Sequence, residues 1–188
     1  ETNYGDRPDG DGPRIQEGDF VRAQITTVSR DGIAVVVGGV DTRVHLHALT
    51  FEYLVDARTK YKVGQEIMVQ VEKIIKEKDG HHVVEVNCKN PELERAKQMR
   101  NALPIDSIVF GVVSSVTANK KVAGNINLVA YIKMYDLPVL VNNMPAKFLG
   151  SEPTRGSTVR LRVLNYLDNG MILCRCIGTQ GPMNFPNA

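Results

Sequence analysis

No stretch of the 188-residue chain approaches the ~20 consecutive apolar residues that span a bilayer. No charged-then-apolar amino end suggests a secretory signal, although the chain begins at Glu1 rather than methionine, which leaves a removed leader open. No membrane partner is expected. Cysteines number only three, Cys88, Cys174 and Cys176. An odd count without scaffold-like spacing argues against a disulfide framework and fits reduced thiols in the cytoplasm. Also lacking are a Gly-rich phosphate loop, a Gly-x-Ser-x-Gly elbow, a His-Glu-x-x-His pair and a convincing pair of acids. These absences favour a binding module over an enzyme, and nothing calls for a metal or other cofactor.

What the chain does have is an ordinary globular composition, 43% hydrophobic, enough for a sizeable core. Its net charge of +2 is unevenly placed. Residues 1–17 carry two basic and five acidic side chains, and residues 18–89 carry ten of each. Residues 103–188 carry eight basic against four acidic, so the carboxyl half is the more plausible anion-facing part.

Residues 1–17 are rich in Gly, Pro and Asp without apolar periodicity and read as a flexible leader. Asp6, Asp9 and Asp11 alternate as in a calcium loop, but the required glutamate is missing and Pro13 breaks the frame. Short apolar runs follow, separated by the turn formers Asp31-Gly32, Gly38-Gly39, Gly64 and Asp79-Gly80. In 21–28 the alternation puts Val21, Ala23, Ile25 and Thr27 inward. Residues 33–37 are apolar throughout, 43–47 alternate with Arg43, His45 and His47 outward, and 48–59 have weak helical spacing. Ile67, Val69 and Val71, then Val84, Val86 and Cys88, complete a fourth and a fifth strand.

Asn90-Pro91-Glu92 reads as a helix start, with Asn90 as cap. The helix ends by Leu103-Pro104 and carries Leu93, Ala96, Met99, Ala102 and Leu103 on one stripe. The carboxyl half then repeats the plan: 109–116 matches 21–28, the run from Gly156 matches the run from Gly64, and Asn169-Gly170 stands where Asp79-Gly80 stood. Repeats of this length mean duplicated units. The expectation is all-β: a first five-stranded OB-type barrel over 18–89, a linker helix over 90–103 and a second barrel over 104–178. The tail 179–188 reads as loose. In this architecture the ligand face is formed by strands two and three with their adjoining loops.

Asp31-Gly32, Gly38-Gly39-Val40-Asp41, Val44-His45-Leu46, Leu49-Thr50, Val63-Gly64-Gln65 and the final hairpin together resemble the RNA-binding motif repeated in ribosomal protein S-one. The likeness covers 18–89 well and 105–178 only as a degenerate copy. It implies binding of single-stranded RNA through aromatic residues around the strand-two glycine, a histidine in strand three and basic residues near the last hairpin. His45 matches the histidine. The aromatic positions fall on Asp31 and Ala34, so both rings are missing, and the basic position falls near His82-Val83.

His45, with Arg43 and His47, is therefore one candidate contact strip. The second barrel offers the fuller chemistry: Arg160 and Arg162 on the outward face of one strand, Arg175 between Cys174 and Cys176 on another, Lys120 and Lys121 in a loop, and Lys133 between Tyr131 and Tyr135. Cations interleaved with aromatics suit phosphate neutralisation and base stacking, while ordinary barrel exterior, with Tyr131 and Tyr135 in the core, accounts for them as well. His81 and His82 fit a solvated hairpin tip, and Cys174 and Cys176 fit buried small hydrophobes. The expected function is non-catalytic binding of single-stranded RNA, or single-stranded DNA, in translation or RNA metabolism. The alternative is a protein-interaction adaptor attached to a ribosome- or polymerase-type machine.

Overall fold

The computed structural model describes residues 14–147 and 152–180. Period-two alternation becomes five strands in each half. In the first, β1 (Phe20–Ser29), β2 (Gly32–Val37), β3 (Val40–His45), β4 (Glu66–Lys76) and β5 (His82–Asn87) form one sheet in the order β3-β2-β1-β4-β5. The sheet curls until β3 meets β5, where Thr42 Oγ1 donates to the Val84 carbonyl at 2.7 Å. In the second, β6 (Ile108–Ala118), β7 (Asn125–Ile132), β8 (Leu137–Pro145), β9 (Thr158–Tyr166) and β10 (Ile172–Gln180) close fully in the order β10-β8-β7-β6-β9. There β10 pairs in parallel with β8. The chain is thus mostly β, two five-stranded barrels of OB type with one sizeable helix between them in sequence, as expected. Among the described residues no helix is long and apolar enough to cross a membrane.

The chain divides into two compact units, one comprising Glu1–Thr50 with Leu54–Pro91, the other Phe51–Tyr53 with Glu92–Ala188. Each has its own core. In the first unit Ile25, Val35, Val69 and Val71 are essentially inaccessible. In the second the same holds for Leu128, Val139, Leu161 and Ile172. Each such aliphatic side chain contributes about 1.5–3 kcal/mol of burial before the entropy of ordering is subtracted.

The duplication reaches well below the strand plan. The register of β1 against β2 slips between Ile25 and Thr27, and that of β6 against β7 slips at the matching Val113 and Ser115. A second slip between Val71 and Lys73 recurs where Val163 and Asn165 pair with β10. The amides of Gly64 and Gly156 both donate at 2.8 Å, to the carbonyls of Ile25 and Val113 respectively. Gly18 enters the first barrel with φ +94°, and Asp106 takes the matching place in the second with φ +73°. Both final hairpins turn on a left-handed glycine, Gly80 and Gly170.

Several expectations need correction. The bulge after Ile25 rotates Thr27 out to solvent and leaves Val28 as the next inward-leaning residue. Ile15, within the expected leader, is fully buried in the first core, and the Glu17 carboxylate accepts from the Ile74 amide at 3.0 Å. Residues 1–13 of the expected leader, with its three aspartates, lie outside the described residues. The connection after β3 holds only a one-turn helix, α1 (Leu46–Leu49), and a 3-10 turn at Ala57–Thr59. The main helix, α2 (Lys89–Met99), starts a residue early because the Asn87 side chain accepts from the amides of Lys89 and Asn90. Asn90 instead donates to Gln70 at 2.7 Å. Ala96 and Leu103 are buried in the second core, but Met99 and Ala102 face solvent. Finally, β10 runs to Gln180, two residues past the expected end of the barrel.

Candidate nucleic-acid interface

In the first barrel, Gly32 heads β2 opposite His45 on β3. A Cβ at Gly32 would run into the Val44 carbonyl oxygen, so only glycine lets the two strands close here. Arg43 and His45 are exposed on β3, whereas His47 lies past the strand end, in α1. The three therefore do not form one strand face. His45 and His47 still meet, with ring centroids 4.3 Å apart, and His45 Nδ1 accepts from the His47 amide at 3.4 Å. Ala34, where a ring would serve, is buried directly opposite Arg43, and Asp31 is exposed. At the hairpin tip His81 Nδ1 lies 2.9 Å from Asp79 Oδ2. The hydrogen bond from the His81 amide holds the Asp79 carboxyl below its usual range.

The second barrel separates the remaining candidates. Tyr131 is 2% exposed and thus unavailable for stacking on a base, although it lies on the side of β7 opposite Leu128, Ala130 and Ile132, outside the barrel core. Burial pushes its hydroxyl well above the usual tyrosine range. Tyr135 is half-buried against the core of the second barrel. Lys133 reaches solvent but lies 3.9 Å from Glu52 Oε2. Lys120 and Lys121 sit in the β6–β7 loop, as expected.

Arg160, Arg162 and Arg175 do come together. Arg162 pairs in register with Ile108 on β6 and with Arg175 on β10, and Arg160 pairs with Phe110 on β6 and Gly178 on β10. Val159, Leu161 and Val163 occupy the inward face of β9, so the arginines stand on the outside. Phe110 is 52% exposed beside Arg160, and Ile108 is also exposed. Among the described residues no carboxylate lies within ion-pair distance of any of the three arginines. Directly opposed like charges in a sheet repel, and here Arg162 and Arg175 are so opposed.

Two depressions lie on the second barrel. One, of about 520 Å³, lies under the β6–β7 loop and is lined by Lys120, Lys121, Asn119, Asn127, Asn142 and Asn143. The other, of about 700 Å³, opens between β8 and β10, with Asn142, Met144, Leu173 and Arg175 in its wall. Asn142 and Asn143 line both. Sequence reading missed Phe110 and the asparagines. The outward position of Phe110 beside Gly111, and an Asn-Asn doublet in a strand, where asparagine is disfavoured, were the available signals.

Cys174 and Cys176 are buried beside Ile172. Loss of solvation pushes the Cys174 thiol up to about 12 and raises that of Cys176. Among the described residues no cluster of three metal-ligating side chains occurs.

No curated protein sequence matches the chain. Among solved structures it is similar to a multidomain protein with nucleic acid binding domains from Streptococcus pneumoniae TIGR4, at 12% identity and a TM-score of 0.28. That likeness takes in 86% of this chain and 53% of the other, so this chain spans about half of that protein's length. A structure described as the molecular basis for abrogation of activation of pro-inflammatory cytokines is similar at 9% identity and a TM-score of 0.24, over 85% of this chain and 90% of the other. Both likenesses are too distant to say more of this chain. Residues 14–82 match the S1 RNA binding domain, the family to which the S-one resemblance pointed. Residues 14–82, most of the first barrel, are accordingly of the S1 RNA binding domain type, and a second barrel of the same plan follows in the chain.

Proposed function

We propose that the chain is a non-catalytic, cytoplasmic protein that binds single-stranded RNA through its tandem barrels, with most of the affinity electrostatic and supplied by the second. The observation that carries this reading is the opposed pair Arg162 and Arg175, joined by Arg160 and the exposed ring of Phe110, with no carboxylate in ion-pair reach among the described residues. Arginines neutralise phosphates, and an exposed ring gives a base a surface to stack on, worth ~1–3 kcal/mol per base. The S1 match supports nucleic acid as the ligand class. The first barrel, which lacks the family's rings at Asp31 and Ala34, contributes less.

Fluorescence anisotropy with a short single-stranded RNA tests this. Saturable binding at low salt that weakens steeply at moderate salt is expected. No saturable binding at low salt refutes the proposal.

A second reading, that the first barrel docks onto a protein of a nucleic-acid machine, is favoured by one feature. Phe20 and Met68 are 42% and 44% exposed beside the Arg22–Glu66 pair, 3.7 Å apart, which neutralises itself. Pull-down after nuclease treatment separates the readings, since partners bridged by RNA disappear and partners held by protein remain.

A further inference from the structure

The depression under the β6–β7 loop is built around a bulge. Ile126 pairs with Met144 and Leu128 with Val141, so Asn142 and Asn143 together oppose the single Asn127. Asn143 takes up the extra length with φ +60°, a left-handed conformation asparagine tolerates better than most residues. Bulges of this kind re-aim side chains.

The side-chain amide orientations of Asn119 and Asn127 follow from their backbone partners. Asn119 Oδ1 accepts from the amides of Lys121 and Val122, both at 2.9 Å. A backbone amide can only donate, so the other end of that side chain must be Nδ2, which donates to Asn127 Oδ1 at 3.0 Å. Asn127 Oδ1 also accepts from the Asn143 amide at 2.9 Å. Its oxygen is thus engaged twice, and the group left to face the depression is its NH2. Asn143 Oδ1 is taken by Asn125 Nδ2 at 2.8 Å, which leaves its NH2 as well. With the ammonium groups of Lys120 and Lys121, the lining is rich in donors and contains no acidic residue.

Resting on the RNA-binding proposal, we infer that this depression is a base-selective subsite: Lys120 and Lys121 hold a phosphate, and the amide NH2 groups of Asn127 and Asn143, with Asn142 beside them, receive a base edge that presents acceptors. For a base that enters by its position-4 edge, such a site accepts the O4 carbonyl of uracil and disfavours the exocyclic amine that cytosine carries there. Uracil and cytosine stack alike and carry the same phosphates, so their difference isolates the amide contribution.

The test is anisotropy of the full chain with oligo(U) and oligo(C) of equal length at low salt. Preference for oligo(U) of about fivefold is expected, the size of one net hydrogen bond. Asn127→Asp keeps the oxygen that accepts from Asn119 and Asn143 and replaces the free NH2 by an acceptor; the preference should vanish or reverse. Asn142→Ala, at an exposed side chain, should reduce the preference without touching the internal bonds of the cluster, and it guards against an Asn127 variant that fails to fold. Lys120→Ala with Lys121→Ala should weaken both oligomers alike and flatten the salt dependence by ~0.7 in log-log slope for each phosphate no longer neutralised. Equal binding of the two oligomers, a preference for oligo(C), or a preference for oligo(U) that survives both asparagine changes overturns the subsite and leaves the proposed function standing. No binding of either oligomer overturns both.

Discussion

Single atoms decide much at the residue scale. Gly32→Ala forces a methyl group into the Val44 carbonyl at the β2–β3 junction, and overpacking of this kind typically costs about 1–3 kcal/mol or more. Urea unfolding of the first barrel should show that loss, whereas Gly64→Ala, with open space around its Cβ, should suffer only from its left-handed backbone, φ +90°. The buried thiols give a second outcome. With Cys174 pushed up to about 12 and Cys176 raised by burial, neither is a thiolate near neutral pH. Both should resist a thiol reagent at pH 7.5 in the folded protein and react once denatured; rapid labelling of the native chain would show that they are not buried. The inward set of the sequence held at Cys174 and Cys176 because strict alternation fixes their side. It failed at Thr27 because one extra residue in a strand reverses every side chain beyond it, and no composition signal marks that residue.

At the scale of elements, the strands and turns were legible because Asp79-Gly80 and Asn169-Gly170 carry turn chemistry that tertiary context does not override. The start of α2 was not, since the side chain that satisfies its first amides belongs to the preceding strand end, at Asn87. The bulge that gathers Asn127, Asn142 and Asn143 was equally hidden, being a property of pairing between strands. One short element carries a pH signature. Asp56 accepts from the Arg58 side chain and amide at the 3-10 turn Ala57–Thr59, and the Arg58 side-chain bond is the main cause that lowers its carboxyl to about 2. A depressed carboxyl stabilises the folded state above its unfolded value of about 4, and that contribution fades as pH falls through 2. Thermal unfolding from pH 5 to 2 should therefore decline less steeply in Asp56→Asn than in the unaltered chain; identical slopes would show that the pair contributes nothing.

For the whole molecule, the strongest fold signal and the proposed ligand surface lie in different halves. The S1 pattern identifies residues 14–82, yet that barrel lacks both rings. The second barrel, beyond the family match, has three arginines, an exposed phenylalanine and a donor-lined depression on one unit. Charge counting along the sequence already pointed to this half, since charge needs no register to be read. Which cations share a face did need register: Arg162 beside Arg175 was visible only once β9 and β10 were paired, and Tyr131 left the site once its burial was known. The direct test compares Arg160→Glu with Arg162→Glu in one chain against His45→Ala, each measured by anisotropy on the same single-stranded RNA across a salt series. The account predicts a loss of tenfold or more and a flatter salt slope for the arginine pair, roughly 0.7 for each phosphate no longer neutralised, with a smaller loss for the histidine. A larger loss from His45→Ala, or an unchanged salt slope in the arginine pair, would contradict it.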